Sequence, residues 1–314
     1  MMRGQRRLIW WFLFLTLTVW VGFFGSPASF PVGETIKVGQ GQTIAAVARD
    51  LVARRVIKWS WVFRAVLALE PGPGLVVAGD YYFAKPDNVW QTAARLTRGD
   101  YGLAPVRVGL PEGASVREMA MILDVALPDF DATAFITTAL ISEGYLFPDT
   151  YFFQPTVKPD EIIKLLGANF QEKIKPLQSA IVKSGRTLEQ IIIMASLLEK
   201  EAGDPEARRT IAGILWKRLD NEMPLQVDAI FPYIVGKNTF ELDHRDLATT
   251  SPYNTYRLRG LPAGPITNPG LEAIEAALTP IETDYWYYLS DRAGNFHYAV
   301  DFDQHRANKT RYLP

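Results

Sequence analysis

Cysteine is absent from all 314 residues, which excludes disulfides, thiolate zinc sites and thiol nucleophiles together. Stability must therefore come from packing, and a chain of this length that is 48% hydrophobic can bury one large core or two smaller ones. Histidine is nearly absent: His244, His297 and His305 are too scattered for a metal-ligand spacing. The chain has no phosphate-cradling glycine loop and no Gly-x-Ser-x-Gly nucleophile elbow. Charge of neither sign is in excess. A formal net charge of −1 argues against a nucleic-acid partner, which calls for a basic face. No metal and no cofactor is implied.

What the chain does have is aromatic surface and one long apolar run. The 8 Trp and 13 Tyr supply flat faces for stacking on sugar rings as well as for core packing. Arg3, Arg6 and Arg7 precede an uncharged run from Leu8 to Phe24. At about 1.5 Å per residue, the apolar stretch to Ala28 can cross a ~30 Å hydrocarbon core. The charge bias predicts a cytoplasmic tail over residues 1–7, a single membrane anchor over 8–28 and everything later outside. The competing reading is a signal peptide cleaved near Gly25, Ser26 and Ala28, but the run is longer and more aromatic than a signal core.

Beyond the anchor the pattern predicts a small mixed module over residues 35–84. It begins with a strand at Thr35–Val38, a turn at Gly39–Gln42 and a helix from Ile44 capped by Thr43. A second helix covers Trp59–Leu69, Pro71–Gly74 breaks it, and Leu75–Phe83 returns as a strand. Asn88–Gly99 reads as a linking helix. A larger unit follows over 105–314. Its helices start at Ser115 with a capping box to Glu118, at Pro159 (running to Val182), at Thr187 with Gln190, and at Asp204-Pro205. Tyr285–Ser290 and Asn295–Asp301 read as a hairpin. Helices and strands mix without βα alternation, so the fold class expected is α+β.

Two segments carry candidate chemistry. In the helix from Thr187, residues Leu188, Ile191, Ile192, Ala195 and Ala202 form an apolar stripe at 100° per residue, and Glu199 falls within it. Burial there favours the protonated form that a general acid needs. Glu201 lies on another face, beside Met194 and Leu197. The other reading is that this end emerges into solvent as a charged cap. The second segment, Ala248–Gly270, is too rich in Pro and Gly for regular structure. It offers Ser251, Tyr253, Asn254 and Asn268, the neutral groups a polyhydroxylated ligand calls for. Equally, Asn268 could cap the next helix, with Pro269 in its first turn.

Taken in order, the segments resemble the endolytic murein transglycosylases of the YceG-like family. The marks are Leu110-Pro111-Glu112-Gly113, Glu143-Gly144-Tyr145-Leu146-Phe147-Pro148-Asp149-Thr150-Tyr151, Ala195 to Glu201, Leu225-Gln226-Val227-Asp228, Ser251 to Tyr256, Gly260 to Gly270, and Phe296-His297-Tyr298 with His305. Two positions depart from the pattern: Ala229-Ile230 replace a polar pair, and Gln304 replaces a Glu. With the family, Val38-Gly39-Gln40-Gly41-Gln42-Thr43-Ile44 resembles the opening of a LysM-type peptidoglycan-binding module. The resemblance implies a lytic transglycosylase at the bacterial cytoplasmic membrane, single-pass, with its catalytic domain outside. It would cleave MurNAc–GlcNAc bonds in peptidoglycan strands to leave 1,6-anhydro ends, and would contact cell-wall synthases. It implies Glu199 as the catalytic acid with Glu201 as the alternative, and Gln226, Asp228, Ser251, Tyr253, Asn254 and Asn268 as sugar-binding residues. The rival functions are a non-catalytic peptidoglycan-binding scaffold and a hydrolase in the same site.

Overall fold

In a computed structural model the protein is described over residues 2–70, 75–128, 130–237 and 242–313, with backbone alone at 2–9, 12, 13, 17 and 244. It divides into two compact units, residues 1–105 and 106–314.

The first unit opens with helix α1 (Met2–Phe24). The expected anchor over 8–28 falls partly on residues outside the described side chains, and among the described residues no helix is long and apolar enough to cross a membrane. Strand β1 (Thr35–Val38) follows, then α2 (Ile44–Ala53), where the Thr43 hydroxyl accepts the Ala46 N–H at 3.2 Å, and α3 (Ser60–Leu69). Strand β2 (Gly79–Tyr82) pairs antiparallel with β1, Ile36 opposite Tyr81. Both residues point into a core with Val47, Leu51, Phe63, Leu67 and Phe83. The strand expected from Leu75 is shorter because the Val77 N–H is taken by the Leu96 carbonyl, 2.9 Å away at the end of α4 (Val89–Arg98). The breaker at 71–74 lies outside the described residues.

The second unit starts with β3 (Val106–Gly109), α5 (Val116–Ala126) and α6 (Ala132–Ala139). Strand β4 (Thr150–Phe153) pairs antiparallel with β3, and Val108, Met119, Leu123, Phe135 and Phe153 share one core. The helix expected over 159–182 is broken. It runs as α7 (Pro159–Ile174), tightens through a 3₁₀ turn at Lys175–Leu177, and restarts as α8 (Gln178–Ser184). Pro176 supplies no N–H and cannot sit inside a helix.

Helix α9 (Leu188–Glu201) is central, with α10 (Pro205–Asp220) and, further on, α13 (Leu271–Leu278) packed against it. Every residue from Ile191 to Leu198 is buried, so the single stripe read from the sequence is too narrow: this helix is covered on all sides. The short helices α11 (Phe231–Val235) and α12 (His244–Leu247) lie between α10 and α13 in the chain. The unit ends with the hairpin β5 (Tyr287–Ser290) and β6 (Phe296–Ala299), then α14 (Phe302–Tyr312). Helices with small two-stranded sheets make the class α+β, as expected.

Candidate active site

The C-terminal turn of α9 carries two carboxyl groups, at Glu199 and Glu201. Residues two apart on a helix point about 200° apart, so each enters a different environment.

Glu199 is buried, its side chain only 6% exposed, and both its oxygens are occupied. Oε1 accepts from Arg208 Nη2 at 3.0 Å, and Oε2 accepts the Gly270 N–H at 2.7 Å. Arg208, on the first turns of α10, also donates from Nε to the Ala202 carbonyl at 2.9 Å and faces Glu272 at 3.6 Å. A methyl group on Gly113 would lie 3.0 Å from Glu199 Cγ, and one on Gly270 would lie 2.1 Å from the Glu112 carboxyl carbon. Burial and the charges of Glu199 and Glu272 push the Glu112 carboxyl above its ordinary range. The Glu199–Arg208 pair thus ties the ends of α9, α10 and the loop before α13 into one dehydrated clamp. Such a pair contributes little net stability, yet breaking it is expensive because a charge is left buried alone.

Among the described residues, no cation is in contact with Glu201. Tyr288 on β5 donates its hydroxyl to Oε2 at 2.9 Å, and the Ala229 N–H donates as well. Burial, aided by the charge of Asp228, raises this carboxyl to about 7, against the two hydrogen bonds. Asp228 itself accepts the Tyr256 hydroxyl. Thr255 holds this segment in place: its hydroxyl accepts the Val227 N–H at 3.0 Å, and its carbonyl accepts the Gln226 N–H at 3.1 Å. Gln226 sits in the left-handed region with φ 51°, and its side chain is exposed.

The loop 248–270 is organised from within by its two asparagines. Asn254 is fully buried; its amide donates to the Leu247 and Thr249 carbonyls at 2.9 and 2.8 Å, and its oxygen accepts the Tyr256 N–H at 3.0 Å. Asn268 is buried just as completely. Its oxygen accepts the Gly144 and Leu146 N–H groups at 2.8 and 3.0 Å, and its amide donates to the Ala114 carbonyl and Glu143 at 3.0 and 2.9 Å. Asn268 therefore gathers the Leu110–Gly113, Glu143–Pro148 and Gly260–Gly270 segments. It does not cap α13, whose N-cap is Gly270 with no side-chain bond. Glu143, also buried and raised to about 8 by desolvation, serves the same hub by accepting the Val116 N–H at 2.9 Å. Ser251 accepts the Tyr253 N–H at 3.2 Å, and the half-buried Tyr253 ring packs on Tyr233 with centroids 5.2 Å apart.

The order and spacing of these segments now have a physical reason, and comparison with known proteins gives them a lineage. The YceG-like family profile matches residues 36–311. The chain belongs to the YceG-like family. An endolytic murein transglycosylase of Bacillus subtilis (strain 168) is 30% identical over 305 residues, covering 88% of this chain and 84% of the relative. One of Streptococcus pneumoniae (strain D39) is 33% identical over 177 residues, 54% of this chain, which spans only 32% of that longer protein. A crystal structure of a yceG-like protein from Listeria monocytogenes superposes with a TM-score of 0.59 at 26% identity, over 87% of this chain and 98% of that one.

Within the family segments, the structure brings Asp228 and the 251–256 loop to the Glu201 side of α9, through Tyr256. Glu199 meets the other end of the long loop, at Gly270. Asn254 and Asn268 are turned inward with their polar atoms spent on the protein, so they shape the site without being free to touch a sugar. Gln226, Ser251 and Tyr253 retain exposed or half-exposed surface. Sequence reasoning missed Arg208, Arg218 and Tyr288 as site-forming residues. Its one available signal was that Arg208 and Arg218 fall at helical spacing on one stripe with Ile211, Ala212 and Leu215, and both prove buried at 4% exposure.

Proposed function

We propose that this chain is an endolytic murein transglycosylase that cleaves MurNAc–GlcNAc bonds in peptidoglycan strands, with Glu201 as its proton-carrying residue. The observation that carries the assignment is the contrast on one helix turn. Glu199 is bound to a guanidinium and a backbone N–H, whereas Glu201 holds its proton to about pH 7 beside Asp228. A general acid works best when its proton affinity lies near the operating pH. Glu201 donates that proton to the glycosidic oxygen as the C1–O bond breaks and positive charge grows on the muramic ring. The ionised carboxylate, steadied by Tyr288 and the Ala229 N–H, then takes the proton of the muramic C6 hydroxyl while O6 bonds to C1. The product is a 1,6-anhydro end, and the acid returns to its starting state without water. One carboxyl group serves both steps, so the paired acid and base of an ordinary glycosidase are unnecessary. The charge of Asp228 opposes that of the sugar cation, and Gln226, Ser251 and Tyr253 provide neutral contacts to the glycan.

The substrate class places this chemistry outside the cytoplasmic membrane. Attachment through residues 8–28 rests on the arginines and apolar run of the sequence alone, the LysM-like reading of 35–84 on its family resemblance, and contact with cell-wall synthases on the same resemblance. Membrane fractionation of the full chain against one lacking residues 8–28 tests the first of these.

The test of the function is digestion of purified glycan strands by the full chain, with products weighed by mass spectrometry. Anhydro-muramic ends that disappear in Glu201→Gln are expected. Reducing muramic ends would make it a hydrolase, and intact strands with retained binding would make it a scaffold.

A further inference from the structure

Behind the Glu201 site lies a buried cation that the chemistry above does not use. Arg218, near the end of α10, is 4% exposed. Its hydrogen bonds go to carbonyls: Nε to Trp286 and Nη1 to Leu225, both at 2.7 Å, with the guanidinium over the Tyr287 ring at 5.1 Å. Among the described residues, the titratable groups that face it are Tyr256 from the loop, Tyr287 and Tyr288 from β5, and His305 from α14, which stacks on Tyr287 with centroids 5.2 Å apart. None of these is an anion at neutral pH. Burial, Lys309 and Arg218 itself all push His305 toward its neutral form. An isolated buried guanidinium costs several kcal/mol, and burial does weaken its hold on its proton. The charge must be balanced nearby.

The balance lies one hydroxyl away. Tyr288 touches Glu201 and Tyr256 touches Asp228, and each of these hydroxyls also feels Arg218. For both tyrosines the two carboxylates strengthen the hold on the phenolic proton and the guanidinium weakens it. A cation behind a hydroxyl orients its oxygen inward and its proton outward, toward the carboxylate.

We propose that Arg218 is a positioning residue for the reaction: its buried charge aims the Tyr288 and Tyr256 hydroxyls at Glu201 and Asp228 and fixes the proton count of that carboxyl pair at one. With one positive charge and two carboxyl groups in a dehydrated site, neutrality is reached when a single proton remains on the pair. Asp228 then bears the charge that Arg218 balances, and Glu201 bears the proton that is transferred. The groups facing Glu201 are Asp228, Tyr288, Tyr256 and the Ala229 N–H, so the guanidinium acts on the acid only through the tyrosines and Asp228.

This inference rests on Glu201 as the acid. It is tested by the pH dependence of glycan cleavage in the full chain with Arg218→Gln and Arg218→Lys. Removing the positive charge leaves Asp228 uncompensated, so the pair holds protons more tightly. The alkaline limb of the rate profile should move up by roughly one pH unit in Arg218→Gln, because Asp228 without its counter-charge opposes the ionisation of Glu201 more strongly. Arg218→Lys, which keeps the charge, should restore the limb toward its original position. An unmoved limb in a folded Arg218→Gln chain, with activity lower only in proportion to stability, would overturn the proposal. Should that variant not fold, Tyr288→Phe decides: it removes a bond that favours ionised Glu201, and its limb must also rise. If it stays put, the proposal is wrong. Full activity of Glu201→Gln would instead overturn the assignment of the acid, a separate result.

Discussion

The replacement of Glu201 by Gln should make the protein more stable at alkaline pH while destroying its activity. In the folded chain this carboxyl holds its proton to about 7, against an ordinary 4.5. Between those values the native chain binds more protons than the unfolded one, so stability falls as pH rises, and above the folded value the whole penalty is present. At about 1.4 kcal/mol per pH unit, the penalty is roughly 3 kcal/mol at pH 8. Glutamine has the shape of the protonated acid and no charge to bury, and its amide oxygen can still accept from Tyr288. Glu201→Gln should therefore gain about 3 kcal/mol at pH 8 and roughly a quarter of that at pH 5, where only the first part of the window between 4.5 and about 7 has been crossed. For a unit of some 200 residues this raises the midpoint by about 6–12 °C at pH 8. Thermal unfolding of both chains at the two pH values measures it. An equal shift at both pH values, or none at pH 8, would refute the claim that this carboxyl is dehydrated and charge-strained. Stability gained where activity is lost is the usual mark of a functional group held against its preference.

The rate of glycan cleavage by the wild-type chain should fall about tenfold per pH unit above pH 7, as Glu201 loses the proton it donates; a plateau to pH 9 would contradict this. Arg208→Met should destabilise the chain by about 3–5 kcal/mol in denaturant titrations, because Glu199 is left buried without its cation, and adding Glu199→Gln should recover a large part of the loss. Asn268→Ala strips acceptors from the buried Gly144 and Leu146 N–H groups and should cost about 3 kcal/mol or more. Gly144→Ala should be as damaging: φ is +86° there, and the new methyl would stand 2.5 Å from Pro265 and 2.9 Å from Ile192.

Local chemistry was readable wherever a side chain answers to its neighbours in sequence. The capping boxes at Ser115 and Thr187, the Asp204-Pro205 start and the terminal hairpin follow from rules that span a few residues. Long-range partners were not readable. Nothing near Asn268 in the chain announces that its amide collects groups 122 to 154 residues away. The sequence offers it as a sugar-binding group or as a cap ahead of Pro269, and both readings are local. The apolar stripe on α9 drew attention to Glu199 as a buried acid, and buried it is. Periodicity gives a direction, however, and no partner: it could not show that Arg208 folds back from the next helix onto Glu199, while a tyrosine 87 residues away meets Glu201. Glu201 lies off that stripe, beside Met194 and Leu197, and that face is buried too, because this helix has no outer face along its middle.

Of two glutamates two residues apart on one helix, Glu201 moves the proton and Glu199 holds the scaffold. Turnover of defined glycan strands by Glu199→Gln and Glu201→Gln, each checked for folding, compares them directly. The expected result is loss of anhydro product by a factor of about 10³ or more in Glu201→Gln, with Glu199→Gln losing only what its lower stability explains. Inactive Glu199→Gln beside active Glu201→Gln would contradict it.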